Sequence, residues 1–212
     1  EIQSVLDRPQ VVASIEFNEL VYGTHPLHRP VYGYSDSVKK IGVDDLRSFK
    51  EQWLVPNNAI ISIVGDVKSS EVIPKLEEIF GDWSPRRTEI PLIAPPKRQK
   101  EIRRKATHMP TQQSHLYFGH LGIERKNPDY YALQVMDTIL GGGAGLTARI
   151  PHKLRDQEGL AYTTFASITS TAGVDPGKFA AYIATSPKNV DRSIQGFVEE
   201  VERICSEFVT TR

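Results

Sequence analysis

The stretch "LAYTTFASITSTAGVDPGKFAAYIATS", residues 160–186, decides the fold. Two runs rich in β-branched and aromatic residues, "LAYTTFASITS" and "GKFAAYIATS", flank "AGVDPG", whose glycines and proline suit a turn. Two strands joined by so short a connection pair antiparallel. Directly after them, "SPKNVDRSIQGFVEEVERICSEF" predicts a helix opened by Ser186 and Pro187. Its apolar face carries Ile194, Phe197, Val198, Val201, Ile204, Cys205 and Phe208, which makes Cys205 a core residue rather than a nucleophile. Strands paired locally and covered by a helix give an α+β fold.

Toward the N-terminus, "SHLYFGHLG" alternates like a strand. "NPDYYALQVMDTILGGG" predicts a helix with Asn127 as N-cap, Pro128 at its first position, a stripe of Ala132, Val135, Met136 and Ile139, and a glycine stop. "TARIPHKLRDQEG" suggests a short helix with Pro151 in its first turn or at a kink. Earlier still, "AIISIVGD" (59–66) is a continuous apolar run expected to form a central strand buried on both faces. "SSEVIPKLEEIFGDW" follows as a helix capped by Ser69 or Ser70 and stopped at Gly81. Leu46, Phe49 and Trp53 mark a helix that ends at "VPNN", and Ile2 to Leu20 keep a helical rhythm broken near Pro9. "YGTHPLHRPVYGYSDS" reads as a turn-rich loop.

Between Trp83 and Lys105 the chain becomes rich in proline and positive charge, as expected of a solvated linker running into a first strand. A domain boundary is placed there, with residues 1–88 as one domain and 89–212 as linker and second domain. The segments 59–80 and 180–201 echo one another, each passing from an apolar run through a serine-containing turn into an amphipathic helix. This hints at domain duplication.

The chain has 212 residues, 39% hydrophobic and 25% charged, the composition of an ordinary globular protein. No apolar run approaches the roughly 20 residues needed to cross a bilayer. The 26 basic and 26 acidic side chains cancel, so no global field favours nucleic acid as a partner. A single cysteine excludes an intrachain disulfide and any cysteine-cluster metal site. No signal or transit peptide is visible, and both ends read as cuts within a longer protein.

The glycines of "GGGAG" (141–145) end a helix instead of opening one, which argues against phosphate binding and for close backbone approach to a bound chain. Neither H-E-x-x-H nor H-x-x-E-H occurs, and His25 and His28 lack a carboxylate at fitting spacing. In "RDQEGLAY", Arg155 and Tyr162 stand on either side of a helix end and a strand start. A guanidinium and a phenol can both donate to an oxygen that gains charge. Both residues are equally compatible with purely structural roles at a helix end and in a strand.

Four stretches together, "YGTHPLHRPVYG", "VDDLRSFKEQWLVPNNAIISIVGDV", "FGDW" and "LGGGAGLTARIPHKLRDQEGLAY", resemble the pitrilysin/insulinase family of zinc metallopeptidases, in its processing-peptidase-like branch. The resemblance runs over nearly the whole chain in the family's order. It implies two-layer α/β domains with mainly antiparallel sheets packed by helices, duplicated around a chamber that admits unfolded peptides. It also implies a zinc-dependent endopeptidase in the full-length protein, with the H-x-x-E-H segment outside this chain. Glu1 falls on the third zinc ligand, and the fragment alone is expected neither to hold catalytic zinc nor to cleave. Arg155 and Tyr162 match residues that hold the substrate carbonyl, and Gly141, Gly142 and Gly143 match a segment lining the substrate path.

The partners implied are a peptide or unfolded protein substrate and a homo- or hetero-oligomer with another family subunit, in the bacterial cytoplasm or periplasm. The rival reading is a non-catalytic peptide-binding or scaffold subunit of the same family. This chain departs from the family at His28, where glycine is frequent, and at Pro151, where a helix former is usual.

Overall fold

The computed structural model describes residues 2–142 and 147–209. In chain order the elements are α1 (Ile2–Leu6), α2 (Pro9–Tyr22), a 3-10 turn (Pro26–His28), α3 (Ser35–Val38), α4 (Val43–Trp53) and a second 3-10 turn (Pro56–Asn58). There follow α5 (Ser69–Phe80), β1 (Ser114–Leu121), α6 (Tyr130–Leu140), a π-helical turn (Pro151–Gln157), β2 (Thr164–Ser167), β3 (Lys178–Thr185), a 3-10 turn (Pro187–Asn189) and α7 (Val190–Ser206). The break near Pro9 separates α1 from α2, and Pro9 itself opens α2, where its missing N–H costs no helical bond. The chain forms two compact units, one of residues up to Gly33 together with Ala94 onward, the other of Tyr34–Ile93.

The first unit is built on a three-stranded antiparallel sheet in the order β1-β3-β2. Ser114 faces Thr185 and Leu121 faces Lys178 on one side of β3, while Thr164 faces Ile183 and Ser167 faces Ala180 on the other. As the central strand, β3 is buried without a break from Phe179 to Ile183. Its side chains alternate between two cores. Phe179, Ala181 and Ile183 join Leu140, Ile150, Leu154, Ala166 and Phe197 on one face. Ala180 joins Phe17, Val21, Tyr22 and Leu121 on the other, so α2 covers the side of the sheet opposite α7. Phe197 meets Phe118 edge-on, ring centroids 4.3 Å apart. Burying such a ring contributes about 1.5–3 kcal/mol. Lys105 is 3.0 Å from Glu19, and Thr107 donates to Glu16 at 2.6 Å, fastening the approach to β1 along α2.

Two helices bury faces that match the sequence pattern only in part: on α7, Phe197, Val201 and Ile204 reach the core as expected. In α7 the buried residues are Ser193, Gly196, Phe197 and Glu200, whereas Ile194 and Val198 are exposed and so is Cys205. The contact line runs along Gly196 because a residue without a side chain lets Leu154 come up against the helix. In α6 the buried residues are Tyr130, Asp137 and Leu140, not the stripe that includes Ala132 and Val135. The helix starts at Tyr130 with Asp129 at the cap position, and Asn127 uses its side-chain oxygen to accept from the Asp129 N–H at 2.9 Å.

In the second unit, Trp83 Nε1 donates to the Leu54 carbonyl at 3.2 Å. Asn57 and Arg86 exchange two hydrogen bonds, of 2.9 and 3.2 Å, that hold the segment after α5 to the end of α4. The run "AIISIVGD" differs from expectation: it forms no strand, and Ile60 and Val64 are 98% and 95% exposed. A central strand needs a neighbour on each side to take its N–H and C=O groups, and among the described residues the sheet lies wholly in the other unit. Neither Ser69 nor Ser70 caps α5; Lys68 holds the cap position without a side-chain bond.

Candidate functional site

Arg155 sits in the π-helical turn, which begins at Pro151 and closes with the Glu158 N–H donating to the Lys153 carbonyl at 3.0 Å. Such wide turns recur at functional sites because they re-aim a side chain within a helical path. Leu154, fully buried, anchors the turn in the core. The chain then reverses at Gly159, whose φ of +61° is disfavoured for side-chain-bearing residues. Leu160 is tied down by two bonds: its N–H donates to the Leu154 carbonyl at 2.8 Å, and its carbonyl accepts from Thr185 Oγ1 at 2.7 Å. Tyr162 emerges two residues later, 92% exposed, just before β2.

The two predicted side chains thus flank the reversal at Gly159, along the rim that runs from the π-helical turn to β2. The Arg155 guanidinium has its pKa raised chiefly by its hydrogen bond to Asp156. That bond is bidentate, Nε to Oδ1 at 2.7 Å and Nη2 to Oδ2 at 3.2 Å. Asp156 is correspondingly held below the ordinary carboxylate range by Arg155, with His152 adding to the effect. The Asp156 carboxylate thus engages one edge of the Arg155 guanidinium.

Gly141 and Gly142 leave α6 beside β2. A Cβ on Gly141 would stand 2.7 Å from the Ala166 nitrogen, which donates to the Gly141 carbonyl at 3.3 Å. The close approach that requires glycine at 141 is thus made by the protein's own strand. The Gly142 N–H donates to the Asp137 carbonyl at 2.6 Å. Gly143 and Glu1 lie outside the described residues.

Three residues that the sequence did not single out shape this rim. Asp137, buried in α6, accepts from the backbone N–H groups of Ile168 and Thr169 at 2.8 and 2.9 Å and from the hydroxyls of Ser167 and Thr169 at 2.7 and 2.6 Å. A lone carboxylate on the apolar side of a helix was the available signal. Glu158 and Arg192 form a bidentate pair, with Nε to Oε2 at 2.6 Å and Nη2 to Oε1. No local pattern announces a partner 34 positions away.

Among the described residues no group of three or more histidine, cysteine, aspartate or glutamate side chains is placed to hold a metal. His25 Nδ1 accepts from the Leu27 N–H at 3.3 Å, and His28 Nδ1 lies 2.8 Å from the His25 carbonyl, so both rings serve their own loop. The described residues therefore do not fit a zinc ion.

With this geometry in place, comparison with known proteins decides the lineage. A family model described as the peptidase M16 inactive domain matches residues 40–211. The chain belongs to that family. Its motifs had already pointed to zinc peptidase relatives, and this M16 chain is 24% identical over 212 residues to the "Uncharacterized zinc protease YmxG" of Bacillus subtilis, covering all of this chain and 50% of that protein. It is 25% identical over 196 residues to the "Non-peptidase homolog YmxG" of Helicobacter pylori, covering 89% and 44% of the two chains. The crystal structure of a peptidase M16 inactive domain from Pseudomonas fluorescens shares its α+β fold at a TM-score of 0.86 and 24% identity, over 98% of this chain and 50% of that one. The M16 chain described here thus spans about half the length of the curated relatives it matches. Among the described residues no helix is long and apolar enough to cross a membrane.

Proposed function

We propose that this chain is the substrate-holding part of a zinc metalloendopeptidase that cleaves unfolded peptides in a chamber between two domains. In this reading Arg155 and Tyr162 donate to the scissile carbonyl oxygen as it gains charge, and Gly141 to Gly143 border the path of the extended peptide. The observation that supports it is the exposed phenol at 162, which follows the π-helical turn of Arg155 across a segment fastened at Leu160. Glu1 would supply one metal ligand, and the remaining ligands would lie outside this chain. A peptide in extended form also fits recognition by backbone more than by sequence. The whole protein would work as a homo- or hetero-oligomer with another family subunit.

The test is kinetic. In the longer protein, Arg155→Ala and Tyr162→Phe should each lower kcat for an unstructured peptide about 100-fold, the scale of one lost oxyanion donor, and a chelator should abolish cleavage. Wild-type rates in both variants would remove the assigned roles.

The second reading, a non-catalytic peptide-binding or scaffold subunit, is favoured by the printed name of the Helicobacter pylori relative. It expects peptide binding that depends on Arg155 and no chelator-sensitive cleavage.

A further inference from the structure

Between Arg155 and Tyr162 the chain is held from outside by one ion pair. Arg192, in the first turn of α7, donates through Nε to Glu158 Oε2 at 2.6 Å and through Nη2 to Glu158 Oε1, a fork-to-fork contact. Its Nη1 donates to Glu199 Oε1 at 3.0 Å and its Nη2 also reaches Glu199 Oε2 at 3.4 Å, while Lys153 also bonds Glu199. Glu158 occupies the position after the π-helical turn, three residues beyond Arg155 and four before Tyr162. It directly precedes Gly159, the residue with left-handed φ at which the chain reverses. Gly159 is free to explore conformations that other residues avoid. Backbone bonds from the Glu158, Gly159 and Leu160 N–H groups to the Lys153, Arg155 and Leu154 carbonyls hold this reversal from within, and the Glu158 side chain ties it to α7. Leu154 and Leu160 are fixed in the core on either side, and the Glu158 side chain adds a fastening to α7.

We propose that Arg192 is a positioning residue: by gripping Glu158 it sets the spacing and aim of Arg155 and Tyr162 toward a peptide carbonyl. This inference rests on the reading of those two residues as carbonyl donors. The bidentate geometry matters more than the charge, because a single-point ammonium would let the Glu158 carboxylate rotate. Arg192 itself touches no peptide.

The experiment uses the whole chain and a labelled unstructured peptide, with the dissociation constant read by fluorescence anisotropy. Arg192→Ala should weaken binding about fivefold to tenfold, since a small misplacement of paired donors is costly. Arg192→Lys should recover part of that loss, and the exchange of charges in Arg192→Glu with Glu158→Arg should recover most of it. Glu199→Gln is the structural control. It removes the other partner of Arg192 and of Lys153 but leaves Glu158 in hand, so binding should stay within about twofold. Loss of binding in Glu199→Gln equal to that in Arg192→Ala would make the network a general stabiliser and overturn the inference. So would wild-type binding by Arg192→Ala alongside weakened binding by Arg155→Ala. Wild-type binding by Arg155→Ala overturns the carbonyl-donor reading itself, and this inference with it.

Discussion

Gly196 of α7 and Leu154 of the π-helical turn are in such close contact that a Cβ on residue 196 would lie 2.3 Å from Leu154 Cδ2. Leu154 is fully buried, so its side chain can yield only by displacing the core around it. The turn that carries Arg155 therefore owes its depth in the fold to a missing methyl group on the neighbouring helix.

Gly196→Ala tests that contact. Overpacking a core costs about 1–3 kcal/mol, and alanine in place of glycine returns about 1 kcal/mol of helix propensity. A net loss of up to about 2 kcal/mol is expected in urea unfolding. Leu154→Ala added to the same variant should cost less than it does alone, because the two sites share one space. Strict additivity of the two losses would count against the contact.

The α6–β2 junction depends on Asp137. With its four hydrogen bonds removed in Asp137→Ala, two backbone N–H groups are left without a partner in a buried site. The expected loss is about 3 kcal/mol. Asp137→Asn keeps an acceptor oxygen and should lose less. Chemical denaturation of both variants orders them, and an equal loss would show that the carboxylate is not the anchor.

On the proposed role of Arg155 as a donor to a peptide carbonyl, Asp156 would compete for it. Asp156→Asn should therefore strengthen binding of an unstructured peptide by no more than about fivefold, the scale of exposed ion pairs. Added salt should narrow the difference between variant and wild type. Weaker binding by Asp156→Asn would mean instead that this carboxylate orients Arg155 for use.

Glu199 sets an acid dependence. Hydrogen bonds from Lys153 and Arg192 push its carboxyl from 4.5 down to about 2. A depressed value in the fold means that the stabilisation is fully present above about 4.5 and is lost as the pH falls toward about 2. Wild type should thus exceed Glu199→Gln in unfolding midpoint at about pH 6, and the gap should close by about pH 2. A constant gap across that range would refute the coupling.

The exposed run at residues 60–64 should make the isolated chain prone to associate. Ile60 and Val64 are almost fully exposed in a stretch without strand pairing, and unpaired apolar backbone can template pairing with other chains. Ile61→Lys with Ile63→Lys should lower the associated fraction in sedimentation velocity with little change in unfolding midpoint. Unchanged association would place the contact elsewhere.

Much of this was legible locally. Alternation, β-branched residues and turns marked β1, β2 and β3, Pro9 marked a break between two helices, Pro151 fell in the first turn of its helical segment, and "RDQEGLAY" marked a helix end running into a strand. Helix faces were legible only in part. Hydrophobic spacing ranks residues by polarity, whereas the buried line on α7 follows Gly196 and that on α6 includes Asp137, since a small residue or a satisfied carboxylate packs where a larger apolar one would not fit.

The sharpest division lies between two similar strings. "AIISIVGD" and "KFAAYIAT" are both apolar runs leading into amphipathic helices, yet the second becomes the central strand β3 and the first stays unpaired. Sequence by itself determined the family, the α+β class and the hairpin of β2 and β3, because short-range pattern and motif spacing suffice for each. Tertiary structure alone decided which apolar run finds neighbours for its backbone, and that Arg192 grips Glu158, because hydrogen bonds between strands and ion pairs between distant elements exist only once the chain has brought them together.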